Sequence, residues 1–92
     1  MIFNLYSIKD KKSDFGAPVP IKDDAQAIRW FDNQVKTTPF MNEYAEDFEL
    51  YHLGTFDAES SRITGTDFPR FIITAEEVKG NERKITIPDS NQ

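Results

Sequence analysis

The sequence predicts an α+β fold, in which a small, mostly antiparallel sheet carries one amphipathic helix on one face. Three observations predict it. Short segments of alternating or continuous apolar residues recur along the 92 residues, as is typical of strands. Only one segment, residues 24–36, has a clear apolar stripe at helical spacing. Most connections are short, which favours antiparallel neighbours.

The first strand is predicted at residues 2–8, and apolar side chains on both of its faces indicate a central position. Residues 9–16 are polar, end in glycine and are predicted to form a loop. Pro18 and Pro20 favour extended backbone but lack the N–H that a central strand needs. We therefore expect a short edge strand at residues 17–22.

The predicted helix has signals at both ends. Asp23 is a favourable N-cap, and Gln26 three positions later completes a pair similar to a capping box. Two threonines and a proline at residues 37–39 stop the helix. Its apolar stripe, which should lie on the sheet, consists of Ala27, Ile28, Phe31 and Val35.

The rest of the chain is predicted to be mainly β structure. Residues 40–46 read as a loop or a short helical turn. Further strands are predicted at residues 48–56, 62–64, 70–75 and 84–87, with turns at 57–61 and 80–81. The strands on either side of the first turn should form a hairpin. We expect a single domain over residues 1–88 and a flexible tail over residues 89–92.

The charge is unevenly distributed. The net charge is −5, yet residues 1–36 contain six Lys or Arg against five Asp. Residues 37–61 contain six acidic residues and no Lys or Arg. This acidic segment is either a solvated surface that keeps the protein soluble, or a region that repels nucleic acid or recruits a basic partner.

The residues needed for common catalytic sites are scarce. Cysteine is absent, and the single histidine, His52, lies in the middle of a predicted strand. One histidine cannot provide a zinc site, and the four glycines are too far apart to form a phosphate-binding loop. Pairs of neighbouring carboxylates occur, but they read as capping or solvent-facing groups. We therefore expect no enzymatic activity, no metal and no cofactor.

The N-terminus has no basic cluster and no small-residue cleavage site of the kind that marks a signal peptide. No apolar stretch approaches the roughly 20 residues that span a bilayer. These features predict a soluble intracellular protein. A chain of this size without disulfides buries a modest core, so we also expect a homodimer.

Basic and aromatic residues indicate a binding function. Lys9, Lys11 and Lys12 cluster in the loop after the first strand, and Arg29 and Trp30 are neighbours on the helix. Single-stranded nucleic acid is held by cations along its backbone and by aromatic rings under its bases. We select these five as candidate nucleic-acid-binding residues. The alternative is that Trp30 packs at the boundary of helix and sheet and that the lysines only solubilise a loop.

Three blocks of the sequence carry a family resemblance. The first block includes Asn4-Leu5-Tyr6-Ser7-Ile8-Lys9 followed by Phe15-Gly16, and the second includes Ala27-Ile28-Arg29. The third includes Glu46-Asp47-Phe48-Glu49-Leu50-Tyr51. In this order and spacing they resemble the small non-structural protein of gokushoviruses, in the Microviridae. The resemblance implies a DNA-binding phage protein, made in the host bacterial cytoplasm and absent from the virion. It also implies a role when duplex replication gives way to single-stranded genome synthesis and packaging.

Two functions follow as hypotheses. The first is single-stranded DNA binding during genome replication or packaging, by a homodimer that brings together two weakly basic faces. The alternative is a protein-interaction module whose acidic segment, residues 37–61, acts on a viral replication protein, the procapsid or a host factor. A DNA mimic is a third possibility, and it would require the acidic residues to line up along one face.

Overall fold

One antiparallel sheet of four strands organises the fold. A computed structural model describes the backbone of residues 1–86 and the side chains of residues 1–80. The strands are β1 (Ile2–Asp10), β2 (Val19–Ile21), β3 (Phe48–Asp57) and β4 (Ile63–Thr74). The helices are α1 (Asp24–Thr37), α2 (Pro39–Glu43) and α3 (Ala75–Thr86), with a 3-10 turn at Ala45–Asp47. The strand order is β2-β1-β3-β4, with antiparallel neighbours throughout, which confirms the predicted α+β class.

The first half of the chain folds largely as its local signals predict. The exception is that β1 continues through Lys9 and Asp10, which were predicted to lie in the loop after it. β1 is central, while β2, with Pro20 in its middle, is an edge strand. The side chain of Asp23 caps α1 by accepting a hydrogen bond from the backbone N–H of Gln26, at 2.9 Å. Thr38 ends the helix, and Pro39 begins α2 at the position where a missing N–H costs least.

The strand predicted at residues 84–87 is wrong, as is the turn at 80–81, because residues 75–86 form α3. A reciprocal cap starts this helix: the Thr74 hydroxyl accepts from the N–H of Glu77, and Glu77 Oε1 accepts from the N–H of Thr74. The expectation of a single helix is corrected for the same reason. Residue 87 and the predicted tail at residues 89–92 lie outside the described residues.

The separate strands predicted at residues 62–64 and 70–75 form one strand, β4, which ends at Thr74. A bulge separates their pairing with β3. Gly54 pairs with Gly65 and His52 pairs with Arg70, so residues 66–69 all lie opposite a single residue of β3. Because Pro69 lies in this bulge, it removes no donor from the ladder between the strands.

The core lies between one face of the sheet and the three helices. Tyr6 and Leu50 from the sheet and Phe31 and Val35 from α1 are fully buried. α3 adds Ala75 and Val78 to the same core. Burying a large apolar side chain such as Phe31 or Leu50 stabilises the fold by about 1.5–3 kcal/mol. The predicted stripe of α1 therefore faces the sheet, with Ile28 partly buried at its margin.

Side chains alternate along a strand, so the neighbours of the core residues point to the opposite face. On β3, Tyr51 lies between Leu50 and His52, both of which are buried on the helix side. On β1, Ser7 and Lys9 alternate in the same way with Tyr6 and Ile8. We call the side of the sheet that carries Ser7 and Tyr51 the open face, because the described helices pack on the other side.

Candidate nucleic-acid interface

A row of three aromatic rings crosses the open face. The ring centroids of Phe15 and Tyr51 are 5.3 Å apart, and those of Tyr51 and Phe71 are 5.8 Å apart. Both pairs meet edge to face, at interplanar angles of 76° and 71°. Phe15 is 39% exposed and Phe71 is 47% exposed, so both outer residues are partly accessible from solvent.

The loop after β1 folds back to place Phe15 in this row. The N–H of Gly16 donates to the carbonyl of Ile8 at 2.9 Å, and Phe15 forms an isolated bridge with Lys9. The buried Ser7 hydroxyl donates to the carbonyl of Gly16 at 2.7 Å. A Cβ at position 16 would lie 3.3 Å from the Ile8 carbonyl oxygen, so glycine suits this close approach.

Two of the predicted lysines lie beside the row, Lys9 at its Phe15 end and Lys11 next to Glu49. The Nζ of Lys9 is 5.1 Å from the centroid of the Phe15 ring, within the range of a cation–π contact. The Nζ of Lys11 is 3.7 Å from Glu49 Oε2. Lys12 is exposed in the adjacent turn, where its backbone N–H donates to Asp10 Oδ1. The structure therefore places Lys9 against the aromatic row and Lys11 beside the carboxylate that binds Tyr51, and it shows no contact between Lys12 and the row.

A carboxylate organises the middle of the row. The Tyr51 hydroxyl donates to Glu49 Oε1 at 3.0 Å, while the other oxygen of Glu49 faces Lys11. Burial and the hydrogen bond to Glu49 raise the pKa of Tyr51, so the phenol stays protonated at neutral pH. Tyr51 and Lys11 are thus oriented by a carboxylate whose side chain is only 15% exposed.

The other two predicted residues lie elsewhere. Arg29 and Trp30 are on α1, which covers the opposite side of the sheet. Trp30 is partly buried against the core, as in the alternative interpretation of this residue, and Arg29 is exposed. With Gln26 and Asn33 they line a shallow depression on the outer surface of the helix. The structure does not bring this pair together with the lysine cluster.

Strand β4 is bonded to the start of α1 at the residue just before Phe71. Asp24 Oδ1 accepts hydrogen bonds from Arg70 Nη2 at 3.0 Å and from the buried Tyr6 hydroxyl at 2.6 Å. The guanidinium of Arg70 and the Tyr6 hydroxyl hold the pKa of Asp24 below its usual value. The residue next to the outermost ring of the row is therefore fixed to the helix layer.

His52 belongs to a buried polar group under the same end of α1. Its Nε2 is 2.9 Å from Asn4 Oδ1, while Asn4 Nδ2 donates to the carbonyl of Lys22 at 2.8 Å. That arrangement makes Nε2 the donor, and Nδ1 is buried with no partner among the described residues. Burial, and then Arg70, lower the pKa of His52, so the ring is neutral at physiological pH.

The acidic residues of segment 37–61 do not share one face. Glu43 and Glu46 lie near Glu76 around a depression between α2 and α3. Glu49 is on the open face, and Asp57 is at the opposite end of β3, where the turn to β4 begins. The arrangement that a DNA mimic would require is therefore not formed by these residues.

Within the described part of the chain, no group of three or more His, Cys, Asp or Glu residues is arranged to hold a metal ion. No helix among the described residues has the length and hydropathy needed to cross a membrane. A family model described as Phage ORF5 protein matches residues 3–78, a segment that includes the whole aromatic row. No curated protein and no solved structure matches the chain.

Proposed function

This chain belongs to the Phage ORF5 protein family, and we propose that it binds single-stranded DNA through the open face of its sheet. We propose further that it does so as a non-structural protein in the host bacterial cytoplasm, during genome replication or packaging. The observation that carries the proposal is the row of Phe15, Tyr51 and Phe71, with Lys9 against Phe15 and Lys11 beside Glu49. The gokushovirus resemblance agrees with this assignment.

The row suits unpaired bases better than a duplex. Bases in a duplex are stacked on one another, and proteins read them through the grooves with a helix or a ribbon. Unpaired bases can stack on an exposed ring, and each stacked base is worth about 1–3 kcal/mol. The outer rings, Phe15 and Phe71, offer two such surfaces, while Lys9 and Lys11 are placed to contact phosphate.

The net charge of −5 opposes long-range attraction to DNA, so binding must depend on local contacts. Neutralising two or three phosphates of a single strand gives a slope of log affinity against log salt of about −1.4 to −2. We expect weak, salt-sensitive binding in which stacking supplies most of the free energy. The preference for one base over another should be small, because every base has an aromatic face.

Fluorescence anisotropy with a short labelled oligonucleotide tests this proposal. Phe71→Ala and Lys9→Ala should both weaken binding, whereas Arg29→Ala, which removes a cation from the other side of the sheet, should not. The emission of Trp30, the single tryptophan, should stay unchanged on binding. No binding at low ionic strength would sink the proposal. A loss with Arg29→Ala and none with Phe71→Ala would move the site to α1.

A second candidate is the protein-interaction module. It is favoured by the gathering of Glu43, Glu46 and Glu76 around one depression, which offers a basic segment of a partner three carboxylates. Lys79 also lines this depression, with its Nζ bound to the carbonyl of Asn42. The partner would be a viral replication protein, the procapsid or a host factor. Pull-down from infected-cell extract with the wild type and with Glu43→Gln/Glu46→Gln tests it. Capture by both proteins alike would count against this surface.

A further inference from the structure

The core covers only one end of the sheet. None of the core residues, whether fully or partly buried, comes from residues 1–5 or 53–71. Every residue from 58 to 71 is exposed. At this end, residues 1–3 pair with the end of β3, which in turn pairs with the start of β4. We call residues 1–3 and 54–69, which form this projecting three-stranded ribbon, the arm.

Apolar side chains lie on both faces of the arm. Phe3 is directly opposite Phe56, and Phe56 is directly opposite Ile63, so these three share the open face. Ile2 precedes Phe3 on β1 and therefore points to the other face, beyond the reach of the helix layer. Phe68, in the bulge of β4, is 81% exposed.

The arm exposes an apolar area comparable to the largest patch of a typical monomer, and such patches are often functional. Met1, Ile2, Ile63 and Phe68 are 74%, 57%, 69% and 81% exposed. Only Phe68 is aromatic, so we take about 150 Å² per side chain, the lower end of the range for aromatic residues, and the four then present on the order of 400 Å² in total. The largest apolar patch on a typical monomer is about 300–600 Å², and a stable interface covers about 800 Å² of each partner. The four side chains, which are distributed over both faces of the arm, thus present about half of the area that one partner buries in such an interface.

The chemistry of the arm favours a protein partner. Its carboxylates, Asp57, Glu59 and Asp67, outnumber its one basic side chain, Arg62, so it repels phosphate. Of its four most exposed apolar side chains, Met1, Ile2, Ile63 and Phe68, only Phe68 is aromatic, so the arm offers bases one exposed ring and no row of rings. The basic end of the open face, around Lys9, is at the other end of β1. The arm therefore lies at the opposite end of the sheet from the lysines to which we assign phosphate contacts.

We propose that the arm is a homodimer interface, in which the arms of two copies pack together about a two-fold axis. A three-stranded ribbon that packs against no hydrophobic layer is only marginally stable in water. It needs a partner that buries its apolar side chains, and a second copy is present wherever the chain itself is present. The start of β4 is also an unpaired edge, and an antiparallel edge of the same sequence complements it. Pro69 limits such pairing to the residues before it.

Sedimentation equilibrium over a range of protein concentrations tests this proposal without DNA. We expect the wild type to be a dimer and Ile63→Glu/Phe68→Glu to be a monomer, with dissociation favoured by at least about thirtyfold. Phe40→Glu is the matched control, because Phe40 is an apolar side chain on α2 that is 58% exposed and lies outside the arm. It should remain a dimer.

Circular dichroism should show the same helix content for the wild type and the double variant, because both substituted side chains are exposed in a single copy and lie outside the core. If the double variant does not fold, Phe68→Ala provides the test, and it should still weaken the dimer. A monomeric wild type at about 100 μM, well above the micromolar range of weak specific complexes, would overturn the proposal. So would a double variant, or Phe68→Ala if that is used, that dimerises as well as the wild type.

Discussion

Gly54 is the position at which the pairing of β3 with β4 depends on a missing side chain. A Cβ at Gly54 would lie 2.9 Å from the Cα of Gly65, and closer still to the carbonyl oxygen of Thr64. Ordinary contacts between carbon atoms are about 3.5–4.0 Å, so β4 would have to move away by roughly 1 Å. Both groups that the Cβ meets are backbone, and neither can rotate out of the way.

We therefore expect Gly54→Ala to destabilise the protein by about 1–3 kcal/mol, the usual range for overpacking, with lost ladder hydrogen bonds included. Gly65→Ala is a matched control in the partner strand, since its Cβ meets only the Leu53 carbonyl oxygen, at 3.9 Å. It should be neutral, or stabilising by up to about 1 kcal/mol through a less flexible unfolded chain.

Urea denaturation of the wild type and both variants measures the effect. All three must be compared at one protein concentration, because association also changes stability. A Gly54→Ala variant within about 0.5 kcal/mol of the wild type would refute the reasoning. Equal destabilisation by Gly65→Ala would also refute it, since the close approach would then not be the cause.

Three further predictions concern the polar groups and the open face. Asp24→Ala should lower the free energy of unfolding in urea by about 1–3 kcal/mol, because the buried Tyr6 hydroxyl loses its acceptor. Arg70→Ala should lower it by less than about 1 kcal/mol, because it removes a half-exposed ion pair. The pKa of His52 is lower in the folded protein than its ordinary value of 6.5. The contribution of neutral His52 to stability is therefore complete above pH 6.5 and decreases as the pH falls from 6.5 towards the folded-state pKa. Denaturation midpoints measured on either side of pH 6.5 should show this decrease, and His52→Asn should lack it. Phe71→Ala should weaken oligonucleotide binding by about 1–3 kcal/mol, with a salt dependence like that of the wild type.

The local signals in the sequence predicted the first half of the fold well. The Asp23 cap and the stripe of α1 are properties of one continuous segment, and both are found in the structure. The same kind of signal explains the error at α3. Its last residues, 84–86, include β-branched side chains, but the reciprocal cap between Thr74 and Glu77 starts a helix that continues through them.

The candidate site could be predicted only in part. Lys9 and Lys11 were accessible to sequence analysis because they are close together in the chain. The aromatic row was not, because Phe15 comes from a loop and Tyr51 and Phe71 from two strands whose register shifts at bulges. In such strands, simple alternation does not indicate which residues share a face.

The central claim is that the open face binds single-stranded DNA, and NMR chemical-shift mapping tests it most directly. A short oligonucleotide titrated into labelled protein at low salt should shift the resonances of Phe15, Tyr51 and Phe71. It should leave those of Arg29 and Trp30 unchanged. Shifts confined to α1, or none at any residue, would contradict the account.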